Sequence, residues 1–276
     1  MQTRESELTA DDGTRIFAQS WVPEADAVGT VAIVHGLGEH SGRYAEVAEL
    51  LGQARYAVTS FDLRGHGRTG GQRGHVGNYD MLLDDIGLLI AEASSLCGRL
   101  PVFLYGHSLG GNLVLNYALR RQPQIAGLVV ASPLLRLTSA PPLWKRMLGR
   151  MMNRIGPRFS LQGRIDPKDL SHDPAAIRLL EQDPLVHRRV SARLGTAMLD
   201  TGQWALDNAG QLALPTLLMH GSSDPVTSPD ASAEFAHRAG DKCAFRIWEG
   251  LYHELHWETE RDSVIQCIID WLQETG

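Results

Sequence analysis

Short apolar runs recur along this chain, with glycine-rich turns after them and stretches of helical spacing between them, and that alternation leaves few folds open. The runs are TVAIV (30–34), AVTSF (57–61), PVFLY (101–105), GLVVA (127–131), PTLLM (215–219) and AFRIW (244–248). Continuous Val-, Ile- and Phe-rich runs are what strands covered on both faces of a parallel sheet require. RYAEVAELLGQA and YDMLLDDIGLLIAEASSL carry helical periodicity before the second and third runs, and Leu8 to Phe17 reads as a hairpin across Asp12-Gly13. The expected fold class is α/β, with a mainly parallel central sheet flanked by helices.

After the run at 127–131 the pattern changes. From Leu135 to Leu206 no buried strand is evident, while Pro141-Pro142, Gly156-Pro157, Asp166-Pro167, Asp173-Pro174 and Asp183-Pro184 punctuate short helical segments. The strand pattern resumes at Pro215. The expected organisation is therefore a core in two parts, 1–134 and 207–276, with a helical cap at 135–206 inserted after the sixth strand.

GHSLGG (106–111) lies between the run PVFLY and the helical stretch NLVLNYALRRQ. Gly-x-Ser-x-Gly at a strand-to-helix turn is a nucleophile elbow: Ser108 is forced into a strained backbone conformation, and the flanking glycines allow helix and strand to approach. A phosphate loop fits poorly, because no lysine follows and no Gly-x-Gly-x-x-Gly is present. A serine hydroxyl needs a base, and in a fold of this class the acid and then the histidine follow the serine, each beyond a strand. Of eleven histidines only His253 and His256 follow the last strand run. His253, in the loop itself, is the candidate base. Asp224, in the turn after PTLLM, is the candidate acid; Asp230 and Asp241 lie too far along. The backbone N–H of Leu109 at the helix start and that of Leu37, in the loop HGLGEH after TVAIV, are the candidate oxyanion donors.

With these residues in place the chain resembles the α/β-hydrolase superfamily and, within it, the monoacylglycerol lipase family. The resemblance rests on HGLGEHSGRY (35–44), FDLRGHGRTGG (61–71), GHSLGG, SPLL (132–135), DPLV (183–186), HGSSDPVT (220–227) and GLYHELH (250–256). It implies a serine hydrolase that cleaves the ester of monoacylglycerols to glycerol and fatty acid through an acyl-enzyme, with Ser108, Asp224 and His253 as the triad and no metal or organic cofactor. It also implies a small polar pocket for the glycerol moiety, lined by Glu39, Arg43, His107 and His256. One departure stands out: where the family often has a tyrosine, three residues before the cap's Asp-Pro-Leu, this chain has Leu180.

The same chemistry would serve a lysophospholipase or a broad carboxylesterase, and a hydrolase scaffold can also serve as a non-catalytic ligand receptor. A haloalkane dehalogenase would place aspartate at position 108. Cys97, Cys243 and Cys267 are odd in number, far apart and outside any glycine-flanked turn, so they read as buried thiols. A net charge of −6 with dispersed basic residues gives no nucleic-acid footprint. The first residues have no apolar leader core, and no run has the length of a membrane span, so the expected location is the cytoplasm. One segment points to a surface. PLWKRMLGRMMNRIG (142–156) sets Leu143, Trp144, Met147, Leu148, Met151 and Ile155 on one helical face and Lys145, Arg146, Arg150 and Arg154 on another. Such a helix either docks peripherally on a membrane or packs its apolar face on the core or the acyl tunnel.

Overall fold

The computed structural model describes residues 1–163 and 166–276. In chain order the elements are β1 (Gln2–Thr9), β2 (Arg15–Val22), β3 (Gly29–Val34), α1 (Ala45–Gln53), β4 (Tyr56–Phe61), α2 (Tyr79–Cys97), β5 (Val102–His107), α3 (Leu109–Arg121), β6 (Gly127–Ala131), α4 (Leu143–Ile155), β7 (Ser160–Gln162), α5 (Pro174–Gln182), β8 (Arg189–Ser191), α6 (Ala192–Asn208), β9 (Thr216–Gly221), α7 (Pro229–Ala239), β10 (Cys243–Trp248) and α8 (Arg261–Thr275). Eight strands form one sheet in the order β1-β2-β4-β3-β5-β6-β9-β10. β1 and β2 pair antiparallel, as do β2 and β4; every later pair is parallel.

The apolar runs explain why these strands lie inside. β3, β4, β5, β6 and β9 are buried along their whole length, as continuous hydrophobicity requires. Leu82 and Ile86 of α2, Leu113 of α3, Leu206 of α6 and Phe235 of α7 cover one face. Val47 and Leu51 of α1 and Ile265, Ile268 and Leu272 of α8 cover the other. The opening hairpin turns where Asp12-Gly13 places it, with Gly13 at φ 79° and the Asp12 carboxylate accepting from Thr14 N at 3.0 Å.

From β3 the chain moves to β4 on one side and then returns to β5 on the other. This reversal is a topological switch point, and open α/β sheets bind their ligands at such points, beyond the carboxyl ends of the strands. The loop after β3 and the turn after β5 therefore meet, although about seventy residues separate them.

Between β6 and β9 lie α4, α5, α6 and the small β7–β8 ladder. The Asp-Pro pairs start helices here: Asp173 caps α5 by accepting from Ala175 N at 2.7 Å, with Pro174 in the first turn. The segment differs from its sequence reading in one respect. α6 runs to Asn208 and buries Leu194, Met198, Ala205 and Leu206 against the core, while Asn116 of α3 donates to Thr201 O at 3.2 Å. A boundary at 206 thus falls inside a helix that belongs as much to the core as to the cap. Cys97, Cys243 and Cys267 also depart from expectation: they are free but only half-buried, not fully enclosed. Among the described residues no helix is long and apolar enough to cross a membrane.

Candidate active site

Ser108 stands between the last residue of β5 and the first of α3, with φ 54° and ψ −113°. A non-glycine residue rarely adopts that region, and holding it there costs about 1–3 kcal/mol. The surroundings fix it: Ser108 N donates to Ala131 O at 3.0 Å, and its carbonyl accepts from Asn112 N and Leu134 N, each at 3.0 Å. Gly110 shows why the turn needs glycine. A Cβ there would sit 1.9 Å from Val34 O, at the end of β3.

His253 and Asp224 arrive from the loops after β10 and β9. His253 Nε2 lies 2.9 Å from Ser108 Oγ, and its Nδ1 lies 2.7 Å from Asp224 Oδ2. Asp224 Oδ1 accepts from Val226 N at 2.7 Å and Thr227 N at 3.0 Å, so the carboxylate cannot turn. Thr227 Oγ1 donates to Oδ2 at 2.8 Å, and His220 Nε2 lies 3.0 Å from the same oxygen. Burial pushes the Asp224 carboxyl up, but the His253 charge and the hydrogen bonds from His220 and His253 outweigh it and hold the group well below the usual carboxylate range. For His253 burial acts downward; the Asp224 charge and hydrogen bond, with Glu254 and Glu39, overcome it and raise the imidazole above its ordinary value. The serine, base and acid read from the sequence are thus joined in one relay, all nearly enclosed, with Ser108 only 7% exposed.

The loop after β3 lies against the serine: a Cβ on Gly36 would be 3.2 Å from Ser108 Cβ. Leu109 opens α3, so its N–H has no helical carbonyl four residues back. Leu37 follows Gly36 in the apposed loop.

The four residues assigned to a polar pocket also come together. Glu39 Oε1 accepts from Gly36 N at 2.6 Å and Tyr44 OH at 3.0 Å, and faces His107 Nδ1 at 3.2 Å. Arg43 donates to Glu39 Oε2 at 3.2 Å and to Glu254 Oε2 at 2.7 Å. The His256 ring stacks on Tyr44 at 4.9 Å and meets His107 edge-on at 4.8 Å. Both His256 ring nitrogens are buried without a hydrogen-bond partner among the described residues. Burial, reinforced by His107, holds His256 well below the ordinary histidine value. Burial would raise Glu39, but the hydrogen bond and charge of His107, with Arg43, keep it ionised. Glu39, His107 and His256 offer ligating atoms within 4.8 Å of one another. The Arg43 guanidinium fixed on Glu39 opposes a cation there, so the group reads as a hydrogen-bonding frame.

Four partners escaped the sequence reading: His220 and Thr227 on Asp224, Tyr44 on Glu39, and Glu254 on Arg43. His220, four residues before Asp224 at a strand end, carried a local signal for its contact. The Arg43–Glu254 pair spans 211 residues and carried none.

A serine on a strained strand-to-helix turn, at the switch point of this sheet, defines an α/β-hydrolase. The chain belongs to the monoacylglycerol lipase family of that superfamily; the broader family described as serine aminopeptidase, S33, matches residues 25–260. It is similar to the monoglyceride lipase of Rattus norvegicus, 31% identical, with 96% of this chain and 89% of the relative covered. The crystal structure of Paleococcus ferrophilus monoacylglycerol lipase superposes over 100% of both chains with a TM-score of 0.85 and 33% identity. An abhydrolase domain-containing protein of Dictyostelium discoideum is 34% identical over 99% of this chain, which spans 29% of that longer protein.

Proposed function

We propose that this protein hydrolyses the carboxylic ester of monoacylglycerols, releasing glycerol and a fatty acid. The observation that carries the mechanism is the Ser108–His253–Asp224 relay, aligned at 2.9 and 2.7 Å on an otherwise enclosed turn. His253 Nε2 takes the hydroxyl proton as Ser108 Oγ bonds to the acyl carbon, and the carbonyl electron pair moves onto oxygen. The Leu37 and Leu109 amides face that oxyanion. As the tetrahedral adduct collapses, the bond to the glycerol oxygen breaks and His253 returns the proton to it. Water, deprotonated by the same nitrogen, then attacks the acyl-enzyme and frees the acid and Ser108. Asp224 holds Nδ1 protonated and stabilises the imidazolium.

In this reading the glycerol hydroxyls sit against His256, whose two unpartnered buried nitrogens need a donor or acceptor. Glu39, Arg43 and His107 frame that pocket. The segment 135–206 acts as a cap fastened to the loops that carry Leu37 and His253: His187 N donates to Gly38 O at 2.8 Å, and Glu254 N donates to Leu170 O at 2.8 Å. The single acyl chain comes from a lipid surface on which the outward face of α4 rests; peripheral contact of this kind suits a protein acting from the cytoplasm.

The test compares monooleoylglycerol with lysophosphatidylcholine in matched micelles, using Ser108→Ala as control. Much faster turnover of the glycerol ester is expected. Equal or reversed rates would reassign the protein to the lysophospholipases or general esterases.

A further inference from the structure

Helix α4 is fastened by a narrow strip. Gly149, Met152 and Asn153 are its partly covered positions; Asn153 accepts from Arg193 Nε at 2.7 Å, and no residue of the helix is buried. The apolar stripe points away from the protein. Leu143, Met147 and Ile155 are 71–74% exposed, and Trp144 is 63% exposed. This settles the alternative that the stripe packs on the core. An apolar face of this size on a soluble surface marks an interaction site.

Its border carries the second observation. Arg146, Arg150 and Arg154 repeat every fourth residue, which aligns them in a row beside the stripe at about 100° per residue. Arg150 meets Asp200 at 3.1 Å, but both are more than half exposed, so the guanidinium is free to exchange partners. The surrounding charge is lopsided. Residues 135–206 hold 12 Lys and Arg against 6 Asp and Glu, whereas the rest of the chain holds 14 against 26.

We propose that α4 selects a leaflet bearing anionic phospholipid, its arginine row engaging lipid phosphates while the apolar stripe enters the acyl boundary. This deepens the docking reading and rests on it. An apolar stripe alone would take any lipid surface; the arginine row gives the preference. The net charge of −6 would by itself repel such a surface. Screening over about 8 Å makes the approaching face decide, and that face is the basic one. The same charge opposes a second copy as the occupant, since two basic caps would be pressed together.

The experiment is co-sedimentation of the full chain with vesicles of phosphatidylcholine alone and of phosphatidylcholine with phosphatidylglycerol, at low and high salt. Wild type should favour the anionic vesicles by on the order of tenfold or more and lose that preference in high salt. The triple variant Arg146→Gln, Arg150→Gln, Arg154→Gln should lose on the order of 100-fold on anionic vesicles, at ~1 kcal/mol per arginine. Leu148→Glu should weaken binding to both, with circular dichroism and Tm reporting the fold of each variant. Equal binding to both vesicles, abolished by Leu148→Glu, would overturn the anionic preference and keep the docking. Binding to neither would overturn both. Self-association by size exclusion, lost in Leu148→Glu without vesicle binding, would assign the stripe to a second copy instead.

Discussion

Asp224→Asn is the substitution for which the structure dictates an outcome atom by atom. Oδ1 accepts from two fixed backbone donors, Val226 N at 2.7 Å and Thr227 N at 3.0 Å. The amide oxygen of asparagine must therefore take that place, because an NH₂ group there would face two N–H donors. The NH₂ group is left where Oδ2 was, 2.7 Å from His253 Nδ1. It can only donate, so His253 must accept at Nδ1 and carry its proton on Nε2, aimed at Ser108 Oγ 2.9 Å away. A ring in that tautomer cannot take the serine proton. In the serine-protease triad the same wrong-tautomer change lowers kcat about 10⁴-fold, and a loss of about 10³ to 10⁴ is expected here. The fold should survive, since the Thr227 hydroxyl and His220 can accept where they now donate. The assay is kcat on monooleoylglycerol at neutral pH, with the rate of fluorophosphonate labelling of Ser108 measured in parallel and Tm as the fold control. Both rates should fall by similar factors. A variant that stays folded and keeps more than about a tenth of wild-type kcat would refute the role of Asp224 as the group that sets the His253 tautomer.

Two further outcomes are expected. His253 must be neutral to act as base and is raised above 6.5 by Asp224 against the opposing effect of burial, so kcat/KM should be lost as pH falls, with its midpoint above 6.5; a midpoint below that value would contradict the assignment. Gly110→Ala would place a Cβ 1.9 Å from Val34 O and 2.7 Å from His35 O, both backbone atoms, so α3 must shift by more than an ångström from ordinary contact near 3.4 Å; about 100-fold loss in kcat and about 1–3 kcal/mol of stability should follow, measured by steady-state kinetics and urea unfolding, and a wild-type-like variant would show that the elbow is looser than its geometry implies.

Strand runs, the elbow turn and the meeting of Asp224 and His253 with Ser108 could all be read from the chain because each is written in contiguous residues. Val-rich runs state their own burial, Gly106 and Gly110 state a close approach, and Asp224 and His253 are picked out by position after a strand. What escaped were the partners that hold the site residues, most of them near in sequence and one, Glu254, 211 residues from Arg43. Nothing local marks Glu254 as the anion for Arg43, or Tyr44 as a donor to Glu39 inside its own loop. The boundary at 206 missed α6 because its apolar spacing is the same whether a helix covers the sheet or caps the site, and only its contacts with α3 decide. The direction of α4 was likewise open. Amphipathicity fixes that a helix has two faces, but Gly149, Met152 and Asn153 determine which way they turn.

The narrow seam beneath α4 has a consequence for how such a protein can change. A helix attached by one strip of its circumference leaves most of its surface without structural duty, so residues there can be exchanged without unfolding the molecule or disturbing Ser108. Under the docking proposed for α4, selection can then change which lipids the enzyme meets by editing a few outward side chains, while the chemistry underneath is inherited intact.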